Sequence, residues 1–405
     1  MLIAWLLALA PFAPVSHDEP VPKPPDAREV RDALKRANEL ILAAQEAYTP
    51  KAADSKAPGK KSGPAKAKGR EWPYEGVYRV GGEIPIGYRI GGTAIAATAL
   101  IEAAGGEPDA PARAAIAAGL DFVLEAIRDP LMGPAFEKGY DVRGWGHAYA
   151  LGFLLRLRDA RLVPKERSQE VEEAIDMLVA RIQETEIGGR GGWNYSRPSG
   201  DDSDPSTFMT APTLLVLFEA RRQGEAVDAA VVERALKALE DARLATGSFQ
   251  YASDKENHST SGFEDVPGAI GRMAVCEVTL FLAERGSVER IRGSIEAFFL
   301  HWQHLEDRRA QSGTHKPPYM IAPYYFFYAH RHVAQAIEFL PEAEREGWRE
   351  KLRALLWKVR EDDGGWNDRV FPRSATFGTA MTVMALREPS IPRPAGWPGP
   401  RESKR

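Results

Sequence analysis

The sequence predicts an all-α fold, an (α/α)6 toroid in which six helical hairpins form an inner and an outer ring of helices. Two observations carry this expectation. Amphipathic segments alternate with segments that are apolar nearly all round, and a glycine and aromatic turn recurs between them. A helix with one wet face belongs on the outside of a packed layer, whereas a helix with no polar face must be enclosed by protein. Only closure into a ring covers both faces of every apolar helix, because an open row leaves its end members bare.

Pairing along the chain gives six units: Asp26 to Ala104, Asp109 to Arg158, Ser168 to Gln223, Ala226 to Arg285, Ser287 to Leu340 and Glu342 to Arg387. Unit one places its inner helix over Gly92 to Ala103, after the turn Arg70-Glu71-Trp72. It also carries a Lys, Ala, Gly and Pro insert, residues 50–70, with too little apolar surface to order itself. Unit two turns at Arg143-Gly144-Trp145 and runs inward over Trp145 to Leu155. In unit three Val171, Ala174, Ile175, Leu178, Val179 and Ile182 repeat at helical steps. Gly191-Gly192-Trp193-Asn194-Tyr195 then turns the chain into apolar Thr210 to Ala220. Unit four turns at Gly247-Ser248-Phe249-Gln250-Tyr251 and returns over Arg272 to Leu282. Unit five marks its wet helix with Val288, Ile291, Ile295, Phe298, Phe299 and Trp302. It replaces the glycines by Lys316-Pro317-Pro318-Tyr319 and runs inward from Ile321 to Ala336. Unit six repeats Trp348, Leu352, Leu355, Leu356 and Val359, turns at Gly364-Gly365-Trp366-Asn367-Asp368, and ends with Thr379 to Leu386. In these turns glycine supplies positive φ, and the ring after it plugs the seam between hairpins.

With 405 residues, 44% apolar and 27% charged, the chain is long enough for a substantial core. A net charge of -4 provides no overall field for nucleic acid. Residues 2 to 13 form an apolar run of signal-peptide length, too short to span a bilayer, so an exported protein with a leader over residues 1–16 is expected. No later segment has the length of a membrane span. Cys276 is the single cysteine, which rules out an internal disulfide and rests stability on packing. Residues 17–25 and 388–405 read as Pro-rich tails flanking a toroid over residues 26–387, the second of them disordered.

Gly191-Gly192-Trp193-Asn194-Tyr195 followed by Thr207 to Ala220, and Asp363-Gly364-Gly365-Trp366 followed by Thr376 to Leu386, resemble a known repeat. It is the Gly-x-Trp repeat of squalene-hopene cyclases, oxidosqualene cyclases and protein prenyltransferase β subunits, and the likeness covers most of residues 70 to 387. The resemblance implies a terpenoid-cyclase-like toroid with an apolar, isoprenoid-like ligand at its centre. The catalytic motifs of those families are not matched. The cyclases carry an Asp-x-Asp-Asp-Thr-Ala general acid at the end of an inner helix. Here Asp201-Asp202-Ser203-Asp204-Pro205-Ser206-Thr207 holds acids in another order, so Asp204 and Asp202 are candidate acids with helix capping as the other reading. The prenyltransferases hold zinc through an aspartate, a cysteine two residues on and a distant histidine. Ala274 stands where that aspartate would precede Cys276, and no metal site carries over. The Cys-Gly-Glu-Gln string of complement-like thioester domains, which share the fold, is likewise not found at Cys276-Glu277-Val278-Thr279.

In a toroid the inner helices begin at one rim, and their first turns converge on a mouth. These turns bring together the catalytic candidates Asp204, Asp202 and His147 and the ligand-binding candidates Arg272, Glu264, Asp265, Tyr319, Tyr324, Tyr325 and His330. His330 and His332 stand two apart on a helix and point to different faces, so they do not chelate one metal together. No metal or cofactor is expected. The cluster Tyr319, Tyr324, Tyr325, Phe326, Phe327 and Tyr328 offers ring faces to a cation, or packs as core. Two classes of function follow. One is a toroid that holds an apolar small molecule or lipid, or a protein segment, in its throat. The other is an enzyme, either a divergent terpenoid cyclase or a carbohydrate-active toroid with Asp204 facing Glu264 or Asp265 across the mouth. A throat of Trp and Tyr with paired acids favours sugar, and one of Leu, Phe and Met favours lipid. A filled throat would mark a scaffold that binds partners on its outer ring.

Overall fold

The computed structural model describes residues 23–48, 70–134, 141–195, 204–252, 262–309, 311, 313–368 and 371–397. Within them the chain forms twelve α-helices and isolated β-bridges in place of strands. The helices are α1 (Ala27–Ala43), α2 (Ile86–Ala103), α3 (Ala110–Ala126), α4 (Arg143–Asp159), α5 (Ser168–Glu184), α6 (Thr207–Arg222), α7 (Ala229–Asp241), α8 (Val266–Leu282), α9 (Val288–Glu306), α10 (Tyr325–Ile337), α11 (Glu342–Lys358) and α12 (Ser374–Arg387).

Odd-numbered helices are outer and even-numbered helices inner, as the hydropathy pattern predicts. Amphipathic α1 buries only Ala33, Ala37 and Ile41, one narrow stripe, whereas α2 buries nearly every residue from Gly87 to Glu102. Each inner helix packs on the next, and α12 returns to α2, so the toroid is closed. Polar contacts lock this closure between unit six and unit one. Arg36 Nε donates to Asp363 O at 2.8 Å, Arg373 Nε to Glu46 Oε1 at 2.5 Å, and Arg387 Nε to Glu102 O at 3.0 Å.

A repeated cassette ties each of three hairpins together. The backbone N–H groups of Trp72, Trp193 and Trp366 donate to the hydroxyls of Thr93, Thr210 and Thr379 on the inner helices, at 3.0, 3.1 and 3.0 Å. Their indole N–H groups donate to the outer-helix carbonyls of Ile41, Ile182 and Leu356, at 2.6, 2.7 and 2.8 Å. One loop residue thus donates to a carbonyl in the last turn of one helix and is pinned by the next. Gly378 precedes Thr379 because the loop crosses it closely, and a Cβ there would lie 2.6 Å from Trp366 O. The expected positive φ is found at Gly191, at 79°, and at Gly364, at 89°.

The structure departs from expectation in three places. The fifth inner helix begins at Tyr325 rather than Ile321, since Ile321 bridges back to Lys316 and Pro323 can donate no backbone hydrogen bond. Trp145 lies inside α4 rather than in a turn, although its ring still packs between hairpins, against Gly91 of α2. Part of the stretch expected as a disordered C-terminal tail packs on the ring. Trp397 is buried, stacks on Phe218 at 5.5 Å, and its backbone N–H donates to Leu282 O at 2.8 Å. An aromatic ring worth burying overrides the proline-rich context that reads as a loose end. The expected leader and nearly all of the insert, residues 50–69, lie outside the described residues.

Candidate functional site

The inner helices enclose a cavity of about 560 Å3. Its wall follows one stripe per helix at steps of three and four: Trp145, Ala148, Tyr149, Gly152, Phe153 and Arg156 on α4, for example, and Tyr325, Tyr328, His332 and Gln335 on α10. At the N-terminal ends of the inner helices the wall is aromatic. Tyr74 packs against Phe377 with ring centroids 4.7 Å apart and edge-on against Tyr88 at 5.1 Å, and Trp145 meets Tyr149 at 4.8 Å. Tyr78, Tyr195 and Tyr324 complete this end. The middle is lined by Ile95, Met209, Leu215, Val216, Met381 and Met384.

The C-terminal ends of the inner helices supply the charges. Glu102 accepts from Arg156 at 2.5 and 3.1 Å, while Arg222 reaches Asp159 at 3.0 Å and also pairs with Glu219. Ile391, Pro392, Arg393 and Pro394 cross this end. Arg222 is 48% exposed here, whereas Tyr88 and Trp145 at the other end are 6% and 8% exposed. Among the described residues the wet rim therefore lies at the end opposite to the expected mouth. The reason is that polar residues around the starts of the inner helices are spent on ion pairs with neighbouring loops. Arg89 pairs with Glu71 at 2.5 Å, Arg143 with Asp141 at 2.5 Å, and Arg373 with Glu46.

The helix α8 contributes no wall residue. Phe208 of α6 stacks on Tyr325 of α10 at 4.1 Å in front of it, and the Tyr328 hydroxyl donates to Phe208 O at 3.3 Å. This displaces three expected site residues. Arg272 on α8 is fully buried and donates to the carbonyls of Phe249, Phe263 and Gly268, so it clamps a loop instead of meeting a ligand. Asp265 is an exposed residue at the start of α8, and Glu264, whose carbonyl accepts from the Ser248 hydroxyl at 2.6 Å, is also outside the cavity.

Of the other candidates, Tyr324 and Tyr325 line the cavity as expected. Asp204 is held by Arg190 and does not line the cavity. Asp202 lies outside the described residues. His147 points away from the α4 stripe, where its Nε2 donates to Met132 O at 3.0 Å, and burial holds its pKa down at about 4. Tyr319 lies outside the cavity, with its ring 4.7 Å from His304. His330 packs behind α10, where its Nδ1 donates to Phe326 O at 2.7 Å and its Nε2 accepts from Trp302 at 2.9 Å. The two histidines do point to different faces, but the one on the cavity side is His332.

Of the wall residues missed from the sequence, Trp145 and Tyr149 carried a readable signal, because the three-and-four stripe through Trp145 stays aromatic or small for two turns; Tyr195, in the loop before α6, lies on no such stripe. Burial lifts the hydroxyls of Tyr149, Tyr195, Tyr324, Tyr325 and Tyr328 above the usual phenol range, so they remain protonated donors at neutral pH. Burial likewise pushes the Cys276 thiol up, which suits a structural thiol. No cluster of metal-binding side chains occurs among the described residues, and none of their helices is long and apolar enough to cross a membrane.

No family profile matches the sequence, and no curated protein matches it. Solved structures do. An alpha-1,6-mannanase of glycoside hydrolase family 76 from Salegentibacter sp. is similar at a TM-score of 0.53 and 11% identity, over 89% of this chain and 100% of that one. An inactive variant of it, in complex with alpha-1,6-mannotetrose, is similar at 0.55 and 10%, over 89% and 99%. A type II terpene cyclase variant from Scytonema gives 0.45 and 14%, over 89% and 97%, too distant to bear on function. At these identities the likeness speaks to the fold alone, the α/α toroid.

Proposed function

We propose that this protein is a carbohydrate-binding toroid whose central chamber takes an oligosaccharide. The observation that carries this reading is the Tyr and Trp wall: Tyr74, Tyr78, Tyr88, Trp145, Tyr149, Tyr195 and Tyr324. Sugar rings present apolar C–H faces ringed by hydroxyls. A wall of rings tipped with hydroxyl and indole donors matches both features, where a purely aliphatic wall matches only the first. The described residues do not supply the hydrolytic pair expected at the mouth. The carboxylates in the wall, Glu102, Asp159 and Glu219, are all engaged by arginines at the far end. The reading rests on recognition by the aromatic wall. A leader at residues 1–16 would deliver such a chamber to the glycan-bearing side of the cell envelope.

A second reading, an isoprenoid-like ligand, rests on the middle of the wall, where Ile95, Met209, Leu215, Met381 and Met384 are aliphatic. Calorimetric titration separates the two. The first reading expects binding of alpha-1,6-mannotetrose, weakened up to about tenfold by Trp145→Ala, since a ring contact is worth about 0.5–1.5 kcal/mol. Asp204→Asn and His147→Ala should leave that affinity unchanged. Binding of farnesol but not of any tested manno- or gluco-oligosaccharide would overturn the first reading in favour of the second.

A further inference from the structure

Two polar groups stand in the chamber wall towards its charged end, beside Arg331. His332 and Gln335 both line the cavity, one turn apart on α10. His332 Nδ1 and Gln335 Oε1 are buried; the two side chains lie near enough to interact with each other, but among the described residues neither atom makes a hydrogen bond of normal geometry, and Gln335 is only 7% exposed. His330, two residues earlier on the same helix, is the internal control, because both of its ring nitrogens are satisfied by Phe326 and Trp302. Buried polar groups in folded proteins are overwhelmingly paired, and an unpaired one weakens the fold unless something outside the chain completes it.

We propose that His332 and Gln335 form a hydroxyl-binding subsite, so that the chamber's ligand carries an alcohol group at this depth; the inference rests on the reading of the cavity as a ligand chamber. A neutral imidazole has one N–H donor and one lone-pair acceptor, and the glutamine carbonyl is an acceptor. A hydroxyl both donates and accepts, so it satisfies Gln335 Oε1 together with whichever imidazole nitrogen faces it. A methyl or alkene satisfies neither group, and a carboxylate would oppose the carbonyl lone pairs. An ammonium would be repelled by the guanidinium of Arg331, which lines the wall beside His332. Burial holds the His332 pKa at about 3, so the ring is neutral at physiological pH, as this role requires. Tyr328, whose ring lies 4.4 Å from that of His332, braces the imidazole from the preceding turn.

The test uses the full chain and its His332→Phe and Gln335→Met variants. The probes are alpha-1,6-mannotetrose, farnesol and farnesyl methyl ether, the last being unable to donate. The subsite predicts that wild type prefers farnesol to its methyl ether or binds the tetrasaccharide. His332→Phe should weaken each hydroxyl probe about tenfold, the worth of one well-placed hydrogen bond, and should erase the preference over the ether. It also predicts that His332→Phe melts at or above the wild-type temperature, because an unsatisfied polar group is removed. Equal affinities in wild type and variants, or a variant that melts several degrees lower, would overturn the proposal and make His332 a structural residue. Should the tetrasaccharide fail to bind while farnesol binds through His332, the glycan reading falls and the subsite stands. Should neither bind wild type, both fall.

Discussion

Acidification should loosen this toroid through its buried histidines, and His330 shows how much. Its Nδ1 donates to Phe326 O and its Nε2 accepts the Trp302 indole N–H, so a second ring proton would set donor against donor inside the protein. Burial depresses its pKa from the ordinary value of about 6.5 to about 4. For a group with a lowered folded-state pKa, the unfolded chain binds the proton first. The stabilising contribution is intact above about pH 6.5 and is lost as the pH falls towards 4. Between pH 7 and 5.5 the unfolded site takes up most of a proton and the folded site almost none, which lowers stability by about 1.2 kcal/mol. Glu388, which burial raises to about 7, works in the opposite direction over the same window, so the wild-type slope alone does not isolate His330. The assay is urea unfolding of wild type and His330→Phe at both pH values. The variant pays a pH-independent cost for the orphaned Trp302 N–H, but its loss of stability on acidification should be about 1.2 kcal/mol smaller. Parallel pH dependences in the two proteins would refute the argument, because they would mean that the ring takes its proton inside the fold.

The tryptophan cassette makes a second prediction. Thr379→Val orphans the buried Trp366 N–H and should cost about 1–3 kcal/mol, as should Thr210→Val at Trp193; denaturant midpoints within error of wild type would dismiss the cassette as incidental. Gly378→Ala should destabilise by a similar amount, about 1–3 kcal/mol, because its Cβ would press on Trp366 O at 2.6 Å. Trp397→Ala should cost about 3 kcal/mol and speed proteolytic trimming of the C-terminal segment, since the indole is buried against Phe218 and donates to Glu233 at 3.1 Å. Unchanged trimming would show that other contacts hold that segment.

The ring, its six hairpins and their inner and outer helices were legible in the chain because they depend on local periodicity. A stripe such as Val171 to Ile182 specifies a half-wet helix wherever it sits, and a segment such as Thr210 to Ala220 has no stable place except inside. The site was legible only in part. That Tyr325 faces the chamber follows from the helical pattern, and that His330 and His332 diverge follows from geometry. Which of the two faces inward depends on how α10 is rotated against its neighbours. That rotation is set by the stack of Phe208 on Tyr325, residues 117 positions apart. The same stack removes α8 from the wall and turns Arg272 from a ligand-binding candidate into a loop clamp. The charged rim at the far end arises in the same way, from pairs such as Arg156 with Glu102, 54 residues apart. Periodicity is written in neighbours along the chain, whereas the rotation of a helix and the partner of a charge are settled by contacts that exist only once the ring has closed.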